Sequence, residues 1–369
     1  MKRMLMIATV PSMIGQFNMN NIVILLKLGY EVDIACNWND KSVWTNEKTN
    51  SLKKRLDDLG VRYYQIDYAR SLFNIKKHIL SYKQTLRLLI CNNYNFVHCH
   101  TPIASAITRL VCKKTETKCI YTAHGFHFYR GAPIINWVIF YPIEKWLSKY
   151  TDILITINKE DYFRARNNFN MKKIVYIPGV GIDINKIIRN KCDEETIRDS
   201  LHIPKNNKIV ISVGELSKRK NHKLVINALK NVKNVTYIIC GMGYLKDYLS
   251  NLSKKQNVDL RLLGYRTDVI NLIKISDVFV FPSLQEGLPV ALMEAMACGV
   301  PCLASNIRGN IDLLDDCKDM CVFNSKKELT VKIINILSKN KQFIEYKQIN
   351  NFSIDKINKS LIDVYNYFD

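Results

Sequence analysis

Two glutamates separated by seven residues frame a short segment in which an anion could bind. Glu286 precedes a glycine, and Glu294 follows within an apolar stretch that predicts a helix. The first N–H groups of a helix have no acceptor within it, and the helix dipole favours negative charge at that end. The amides of Gly287 and Leu288 are therefore candidate phosphate ligands. A phosphate site beside two carboxylates suits a nucleotide-sugar, although Glu294 could instead be a solvated helix residue.

A cluster of cations is a second candidate for anion binding. Lys218, Arg219 and Lys220 follow Gly214 in a loop between a predicted strand and a predicted helix. Positive groups at such a junction suit a diphosphate, because its developing charge must be stabilised in the transition state of group transfer. A solvated basic loop is the alternative interpretation of these residues.

Histidines occur at the ends of two predicted strands in the first half of the chain. His98 and His100 alternate on one strand, and His124 precedes a glycine at the end of the next. Alternation places His98 and His100 on one face, as a metal site would need. No carboxylate lies at ligand spacing, so we expect no metal and interpret His100 as a cleft residue. His124 could face the same cleft or be a hydrogen-bonded loop histidine. After the first strand, Gly15 could bring the backbone close to a ligand or mark a plain turn.

The segment around the two glutamates resembles the signature of glycosyltransferase family four, whose members are retaining enzymes of the GT-B fold. That signature places the two glutamates in a Pro-Ser-x-x-Glu-Gly-x-Pro and Glu-Ala-Met-Ala-x-Gly-x-Pro framework. The matching residues are Pro282, Ser283, Glu286, Gly287, Pro289, Glu294, Ala295, Met296, Ala297, Gly299 and Pro301. A second stretch, from Tyr121 to Asp161, resembles capsule and exopolysaccharide enzymes of the same family.

The resemblance implies separate roles for the residues around the two glutamates. By analogy with the family, Glu294 would hold the ribose hydroxyls of a UDP-sugar, and Glu286 would hold the hydroxyls of the donor sugar. The amides of Gly287 and Leu288 would bind the diphosphate together with Lys220. No cofactor and no metal are implied.

Four further residues take their expected roles from the family. His124 matches a histidine that contacts the donor sugar, and Gly15 matches a glycine-rich loop. Tyr265 and Arg266 match a loop that packs against the nucleobase.

The basic loop departs from the family pattern at one position. The family has a glycine and an arginine followed by a lysine, and here Gly214 and Lys220 match while Glu215 replaces the arginine. Either Arg219 or Lys218 could supply the missing cation.

These residues must be positioned by the predicted strands and helices, which alternate along the whole chain. Such alternation is typical of parallel sheets that are covered by helices on both faces. The fold class is therefore α/β, and the resemblance implies GT-B, with two Rossmann-like domains facing a central cleft. A chain of 369 residues exceeds what one core usually holds. We expect an N-terminal acceptor and membrane-side domain at 1–183 and a nucleotide-sugar-binding domain at 184–352. The resemblance implies that the last segment, 353–369, is a helix that crosses back to the first domain.

Helices in the first half are predicted at 16–29, 74–92 and 133–149. The part from Ile134 to Trp146 is rich in aromatic and aliphatic residues and is flanked by basic ones. Such a segment suits a helix at a membrane interface, and a buried core helix is the alternative.

The net charge of +21 is unevenly distributed. Residues 1–180 hold 26 Lys and Arg against 12 Asp and Glu, whereas residues 181–369 hold 28 against 21. No nucleic-acid-binding signature accompanies the charge, so an anionic membrane surface is the expected partner, although a general richness in Lys, Asn and Ile contributes. No apolar run reaches the length of a membrane span, and the 11 scattered cysteines favour reduced thiols in a cytoplasm.

The sequence therefore predicts a retaining glycosyltransferase, peripheral to the inner face of the cell membrane. It would move a sugar from a UDP-sugar to a polyprenyl-diphosphate-linked saccharide in capsular or exopolysaccharide biosynthesis. An N-acetylated amino sugar or its uronic acid is a candidate donor sugar. A GT-B-fold UDP-sugar epimerase and a non-catalytic basic membrane-binding protein are the alternatives.

Overall fold

The computed structural model describes residues 2–368, apart from the side chain of Met320. The chain forms two compact units. The first unit runs to Pro178 and includes the C-terminal segment from Ile357, and the second unit is Gly179–Lys356. The predicted changeovers, at 183/184 and 352/353, lie a few residues away in each case.

The first unit contains a parallel sheet of mainly apolar strands. These are β1 (Lys2–Ile7), β2 (Tyr30–Cys36), β3 (Arg62–Gln65), β4 (Phe96–His100), β5 (Lys118–Ala123), β6 (Ile153–Thr156) and β7 (Lys173–Tyr176). Their order in the sheet is β3-β2-β1-β4-β5-β6-β7. Strands covered on both faces have continuous apolar runs, and Met4–Ile7 of β1 is fully buried for this reason.

Helices cover both faces of this sheet. They are α1 (Pro11–Met13), α2 (Met19–Lys27), α3 (Asn46–Asp58), α4 (Ile75–Cys91), α5 (Pro102–Thr115), α6 (Ile134–Ser148) and α7 (Lys159–Asn168). Successive side chains of a strand point to opposite faces. Met4 and Met6 accordingly pack in the core with α2 and α3, whereas Leu5 and Ile7 pack in the core with α4, α5 and α6.

The second unit has the same plan. Its strands are β8 (Lys208–Val213), β9 (Val235–Cys240), β10 (Asp259–Gly264), β11 (Val278–Phe281), β12 (Cys302–Ser305) and β13 (Val322–Phe323). Its helices are α8 (Ile184–Arg189), α9 (Glu194–Ser200), α10 (His222–Leu229), α11 (Lys246–Lys255), α12 (Val269–Ile275), α13 (Val290–Ala297), α14 (Asn310–Leu313), α15 (Lys318–Cys321) and α16 (Lys326–Leu337). The strand order is β10-β9-β8-β11-β12-β13.

Both strand orders are those of a Rossmann-like, doubly wound sheet. In each unit the first three strands are added in one direction across the sheet, and the fourth strand pairs with the free edge of the first strand. This order places β1 beside β4 and β8 beside β11. Open parallel sheets bind ligands at the carboxyl ends of the strands where the order reverses. The ends of these two strand pairs are therefore the places at which each unit would hold a ligand.

The last helix, α17 (Ile354–Tyr365), joins the core of the first unit. Its buried residues Ile357, Leu361, Val364 and Tyr365 pack in the core that contains α2 and α3. The Tyr365 ring stacks on Phe96 of β4 at 5.9 Å between centroids. The apolar spacing of the helix explains the contact, since these four residues lie on one face.

The segment that contains Gly15 differs from the expected turn. Residues 11–27 are helical throughout, because a π-helical turn, Ile14–Asn18, connects α1 to α2. A Cβ atom at Gly15 would lie 2.2 Å from the indole of Trp44. Of the two interpretations of Gly15, the plain turn was wrong, and the absence of a side chain has a packing reason that the sequence could not reveal.

Candidate functional site

In the second unit the residues that are expected to bind the diphosphate and the sugar gather where the strand order reverses. The loop after β8 carries Arg219 and Lys220, and the loop after β11 carries Glu286. The two loops are joined by a hydrogen bond of 2.8 Å from the N–H of Leu284 to the carbonyl of Arg219. Two features that lie 66 residues apart in the chain thus form one site.

Glu286 binds both cations through one oxygen. Lys220 Nζ and Arg219 Nη1 each lie 2.7 Å from Glu286 Oε1. The side chains of Lys220 and Glu286 are 13% and 12% exposed, whereas that of Arg219 is 43% exposed. Lys218 is exposed and its N–H donates to the Tyr244 hydroxyl. Of the two candidates for the missing cation, Arg219 is therefore the one beside Lys220.

The side chain of Lys220 is largely buried. Its Nζ lies 4.6 Å from the centroid of the Phe281 ring, a favourable cation–π distance. A Cβ atom at Gly214 would approach the Lys220 stem to 3.1 Å. Burial lowers the pKa of Lys220, and the charge of Glu286 opposes that effect. The ammonium state of Lys220 is thus supported by its glutamate partner, and Gly214 makes room for the stem.

Helix α13 begins one residue later than the sequence predicts. Pro289 is the residue that caps the helix rather than its first member, because its ψ of 117° is extended. Among the described residues, the N–H groups of Gly287 and Leu288 have no hydrogen-bond acceptor. The predicted end at Gly299 is confirmed: its φ is +69°, and its N–H donates to the carbonyl of Met296.

The loop after β12 supports this helix start. Gly309 lies so close to the carbonyl oxygen of Gly287 that a Cβ atom there would be 2.4 Å from it. Arg308 is buried, and its Nε donates to the carbonyl of Glu286 at 3.3 Å. The stretch from Ser305 to Asn310 resembles family members and was expected near the cleft mouth, but no specific role was expected for Arg308. An arginine followed by a glycine shortly after a predicted strand is the sequence signal of this contact.

Glu294 differs from Glu286 in having no partner. Its side chain is half-buried on α13, and no cation or hydrogen-bond donor of the described residues lies within bonding distance of it. Burial raises the pKa of Glu294 for this reason. A carboxylate that is partly desolvated without compensation can accept hydrogen bonds from a ligand at little further cost.

Tyr265 and Arg266 take no part in the ion pairs of Glu286 with Arg219 and Lys220. Tyr265 is 66% exposed. The Arg266 guanidinium binds Asp268 through two hydrogen bonds of 2.8 and 2.6 Å, which lower the pKa of that carboxyl group. A base could stack on Tyr265. The charge of Arg266, in contrast, is already paired with Asp268 and would be shared between that carboxylate and a ligand.

Three neighbouring strands end in glycines that touch. Gly214, Gly241 and Gly264 follow or end β8, β9 and β10, and the N–H of Gly241 donates to the carbonyl of Gly264 at 2.7 Å. A Cβ atom at Gly241 would lie 1.9 Å from the carbonyl oxygen of Gly214. Of these three glycines, only Gly214 was expected to take part in donor binding. The contact among them was not predictable, because it joins positions that are distant in the chain.

In the first unit, His124 belongs to a cluster of imidazoles at the ends of β4 and β5. Its Nε2 lies 3.1 Å from Nδ1 of His100. The ring of His98 lies 4.2 Å from that of His100, between centroids. Phe17, in the π-helical turn of Gly15, lies 5.9 Å from His124. The π-helical turn that contains Gly15 therefore contacts His124 through Phe17.

Acidic residues of α7 hold the loop that follows His124. The N–H of Phe126 donates to Asp161 at 2.9 Å, and the N–H of Arg130 donates to Glu160 at 2.7 Å. Asp161 is fully buried and also accepts a hydrogen bond from Asn158. Neither carboxylate was predicted to take part, although an asparagine three residues before an aspartate at a helix start is a recognisable capping pattern.

Between residues 2 and 368 no three His, Cys, Asp or Glu side chains are grouped so that they could hold a metal ion. Metal independence itself remains a prediction.

The two doubly wound units, each with polar residues where its strand order reverses, define a GT-B enzyme architecture. Solved structures share it over the whole chain. Anabaena HepE in complex with UDP and glucose has a TM-score of 0.76 at 16% identity, covering 100% of both chains. Sucrose-phosphate synthase from Thermosynechococcus elongatus has a TM-score of 0.74 at 15% identity, covering 100% of this chain and 99% of that one.

Sequence relatives then identify the family. Residues 16–158 match the "Glycosyl transferase 4-like" model, and residues 193–352 match "Glycosyl transferases group 1". Bacillus subtilis EpsD, a protein named as a glycosyltransferase, is 30% identical over 326 residues, which are 85% of this chain and 81% of EpsD. An Escherichia coli UDP-Gal:alpha-D-GlcNAc-diphosphoundecaprenol alpha-1,3-galactosyltransferase is 30% identical over 344 residues, 86% and 87% of the two chains. The chain belongs to the family-four glycosyltransferases of GT-B fold, and the predicted family, fold and enzyme class are confirmed.

Proposed function

We propose that this enzyme transfers a sugar from a UDP-sugar, with retention, to a polyprenyl-diphosphate-linked saccharide in capsular or exopolysaccharide biosynthesis. The observation that carries the proposal is the grouping of Lys220, Arg219 and Glu286 beside the unpaired amides of Gly287 and Leu288. Two cations and two free donors in one place suit a diphosphate, and a carboxylate between them suits sugar hydroxyls. An N-acetylated amino sugar or its uronic acid is the donor sugar that we propose to test first.

In the proposed reaction, the bond from the sugar C1 to the diphosphate oxygen breaks as a bond from the acceptor oxygen to C1 forms on the same face. The acceptor hydroxyl gives its proton to the leaving phosphate. Lys220 and Arg219 stabilise the charge of that phosphate, and the two amides bind its oxygens. Glu286, held by both cations through Oε1, would accept hydrogen bonds from the donor sugar through its other oxygen.

Glu294 is proposed to bind the ribose hydroxyls of UDP. Replacing Glu294 by alanine should weaken UDP binding by about 1.5–3 kcal/mol, the range for hydrogen bonds to a charged group. Isothermal calorimetry with UDP measures this loss. The folded state should not suffer, because the carboxylate that is removed has no partner within the protein.

Glu328→Ala is the matched control, since Glu328 lies on a helix of the same unit and pairs with Lys332 at the surface. It should leave UDP affinity unchanged. Equal UDP affinity in Glu294→Ala and the wild type would refute the ribose assignment.

The names of two relatives support the donor and the acceptor. The Escherichia coli enzyme is named for a UDP-sugar donor and a diphosphoundecaprenol-linked acceptor, and the HepE structures hold UDP or UDP-glucose. Incubation of the protein with a panel of UDP-sugars and a lipid-linked acceptor pool, analysed by mass spectrometry, tests both. Isomerised UDP-sugar in the absence of acceptor would favour the epimerase, and a failure to bind UDP would favour a non-catalytic membrane-binding protein.

Helix α6 supports peripheral binding to a membrane. Between residues 2 and 368 no helix is both long and apolar enough to cross a bilayer. Instead, α6 exposes Ile134, Ile135 and Val138 at 80%, 59% and 65%, and Trp146 at 49%. The sequence left open whether this segment is a buried core helix, and the structure excludes complete burial.

A buried ion pair holds α6 against the sheet. Glu144 of α6 binds Arg109 of α5 at 2.9 Å, and the Arg109 guanidinium lies 4.3 Å from the Tyr121 ring centroid. The inner side of the helix is thus anchored, and its apolar outer side faces solvent. Exposed Lys145 and Lys149 border that side, as expected for a helix at an anionic interface.

A second exposed apolar segment lies at the start of α4 and was not predicted. Phe73 is 91% exposed, Ile75 66% and Ile79 54%, with Lys76 and Lys77 between them. α4 and α6 pack in the same core, on one face of the sheet. We propose that this face of the first unit contacts the inner leaflet of the cell membrane.

The membrane proposal predicts a loss of liposome binding when the α6 surface is made polar. The double variant Ile135→Ser, Val138→Ser should sediment less with anionic vesicles at low salt than the wild type, because it removes apolar area that would enter the interface. The double variant Val331→Ser, Ile334→Ser is the control, since those residues are 50% and 45% exposed on α16 of the second unit. Equal sedimentation of the two variants, or none by the wild type, would contradict the proposal.

A further inference from the structure

The three imidazole rings of the first unit contact one another in a row, and one of their buried nitrogens has no hydrogen-bond partner among the described residues. His98 is held at both ring nitrogens, by the Tyr365 hydroxyl at 3.1 Å and the Thr122 hydroxyl at 2.8 Å. His100 is held at Nδ1 alone, by His124 Nε2 at 3.1 Å. Its Nε2 is buried and has no hydrogen-bond partner among the described residues. Among the described residues, the His124 ring is hydrogen-bonded to His100, and Phe17 adds a ring contact.

All three rings are neutral at ordinary pH. Burial lowers the pKa of His98 to about 3 and that of His124 to about 4, and it holds the pKa of His100 well below its usual value. A neutral imidazole has one N–H donor and one bare nitrogen acceptor. The hydrogen bond between His100 and His124 can thus run in either of two directions, and each direction fixes the tautomers of both rings.

The buried Nε2 of His100 decides between the two directions. If His124 donated, then His100 would accept at Nδ1 and carry its proton on Nε2, as a buried N–H without an acceptor. If His100 donates from Nδ1, its Nε2 is a buried lone pair. Orphaned N–H groups are rarer in folded proteins than under-used acceptors, so the second arrangement is favoured.

We infer that His100 is a positioning residue, which donates from Nδ1 to Nε2 of His124 and thereby presents the Nδ1–H of His124 as a hydrogen-bond donor to the substrate. The catalytic consequence rests on the proposed function and on the contact of His124 with the donor sugar that the family resemblance implies. A donor at that atom would suit a sugar hydroxyl or carbonyl oxygen, and it would not bind a metal ion.

The backbone next to His100 carries strain that supports a functional role. Thr101 has φ +69° and ψ 141°, a conformation that is costly for a residue with a side chain. Its hydroxyl binds Thr9 at the end of β1, accepting from the Thr9 N–H at 3.1 Å and meeting the Thr9 hydroxyl at 2.6 Å. Strain of this kind persists where the surrounding structure imposes it. Here the strained residue directly follows His100, at the place where the strand order reverses.

Nuclear magnetic resonance of the full-length protein, labelled with ¹⁵N at histidine, tests the assignment. Long-range ¹H–¹⁵N correlations distinguish the two neutral tautomers, and the loss of peaks in His124→Asn assigns His124. The expected result is protonated Nδ1 and bare Nε2 on His124. The opposite tautomer in the wild type would overturn the inference, whatever the activity of the enzyme.

Three variants separate positioning from mere packing. His100→Phe keeps a ring but removes the donor, so His124 should become a mixture of tautomers. His100→Asn keeps an N–H near the position of Nδ1 and should restore the wild-type tautomer. His98→Phe disturbs the same cluster without touching the bond to His124, and it should leave that tautomer unchanged. Equal spectra of His124 in His100→Phe and the wild type would refute the inference.

Kinetics of sugar transfer distinguish this inference from the proposed role of His124. His100→Phe should lower kcat roughly five- to tenfold, the loss expected for one neutral hydrogen bond, and His100→Asn should recover most of it. If the tautomer is as inferred but His124→Ala transfers sugar at the wild-type rate, then the donor-sugar role of His124 fails while the hydrogen-bond direction stands. A loss in His100→Phe that His100→Asn does not recover would refute positioning by hydrogen bonding.

Discussion

The two units have the same strand topology, but the side chains at the place where the strand order reverses are neutral in the first unit and charged in the second. Where β1 meets β4, the first unit holds neutral, buried imidazoles. Where β8 meets β11, the second unit holds a lysine, an arginine and a glutamate at a partly open edge. Strand order therefore determines where a site lies but not what it contains. The side chains at the strand ends, and how far water reaches them, decide its chemistry.

Burial explains the contrast. A fully buried charge is costly unless it is paired, so His98 and His100 exist as neutral rings. Lys220 is less enclosed and retains a carboxylate 2.7 Å away, which supports its charge. The first unit is thus suited to directed hydrogen bonds from neutral groups, and the second to binding a charged diphosphate.

The largest expected effect tests the charged side of this comparison. Lys220→Met should lower kcat for sugar transfer by about 100- to 1,000-fold, because it removes a cation aimed at the leaving diphosphate. Lys218→Met is the matched control: the exposed lysine two positions earlier should be replaceable with little change. Comparable losses in both variants would mean that net charge of the loop, and not the position of Lys220, supports catalysis.

An acid titration tests the neutral side. Burial lowers the pKa of His98 to about 3, that of His124 to about 4 and that of His100 well below its usual value, whereas histidine in an unfolded chain titrates near 6.5. Below about pH 6.5 the unfolded state therefore binds more protons, and the free energy of unfolding should fall by about 1.4 kcal/mol per pH unit for each of the three rings.

Tryptophan fluorescence during urea unfolding reports this loss for the first unit, since all 4 tryptophans lie there. The measurement is made at pH 7.5, 6.5 and 5.5. His98→Asn should reduce the slope of the free energy of unfolding against pH by the contribution of one histidine, about 1.4 kcal/mol per pH unit. A free energy of unfolding that stays constant over this range would show that these rings are not buried in the neutral form.

The smallest expected effect separates the two cations that share Glu286. Arg219→Gln should change the free energy of unfolding by less than about 1 kcal/mol, because a 43% exposed guanidinium in an ion pair contributes little. Urea unfolding followed by circular dichroism measures it. A loss above about 2 kcal/mol would indicate that Arg219 stabilises the loop as much as a buried partner would.

Much of the fold could be predicted because its signals are local. The apolar runs predicted the strands, and α4 and α6 end within a residue or two of their predicted limits. Gly299 was recognisable as a helix terminator, since a single residue type allows φ of +69° without strain. The π-helical turn at Gly15 was not predictable, because the contact with Trp44 that explains the glycine comes from another segment.

The sequence predicted which residues form the site, but it did not predict which of them contact one another. Sequence alone determined that Glu286, Gly287 and Glu294 lie around one helix start, because their spacing is fixed by one continuous backbone. Only the tertiary structure decided that Arg219 accompanies Lys220, that His100 holds His124, and that Glu286 is paired while Glu294 is not. Those contacts join loops from different strands, and the packing of a whole sheet, which no local spacing encodes, brings such loops together.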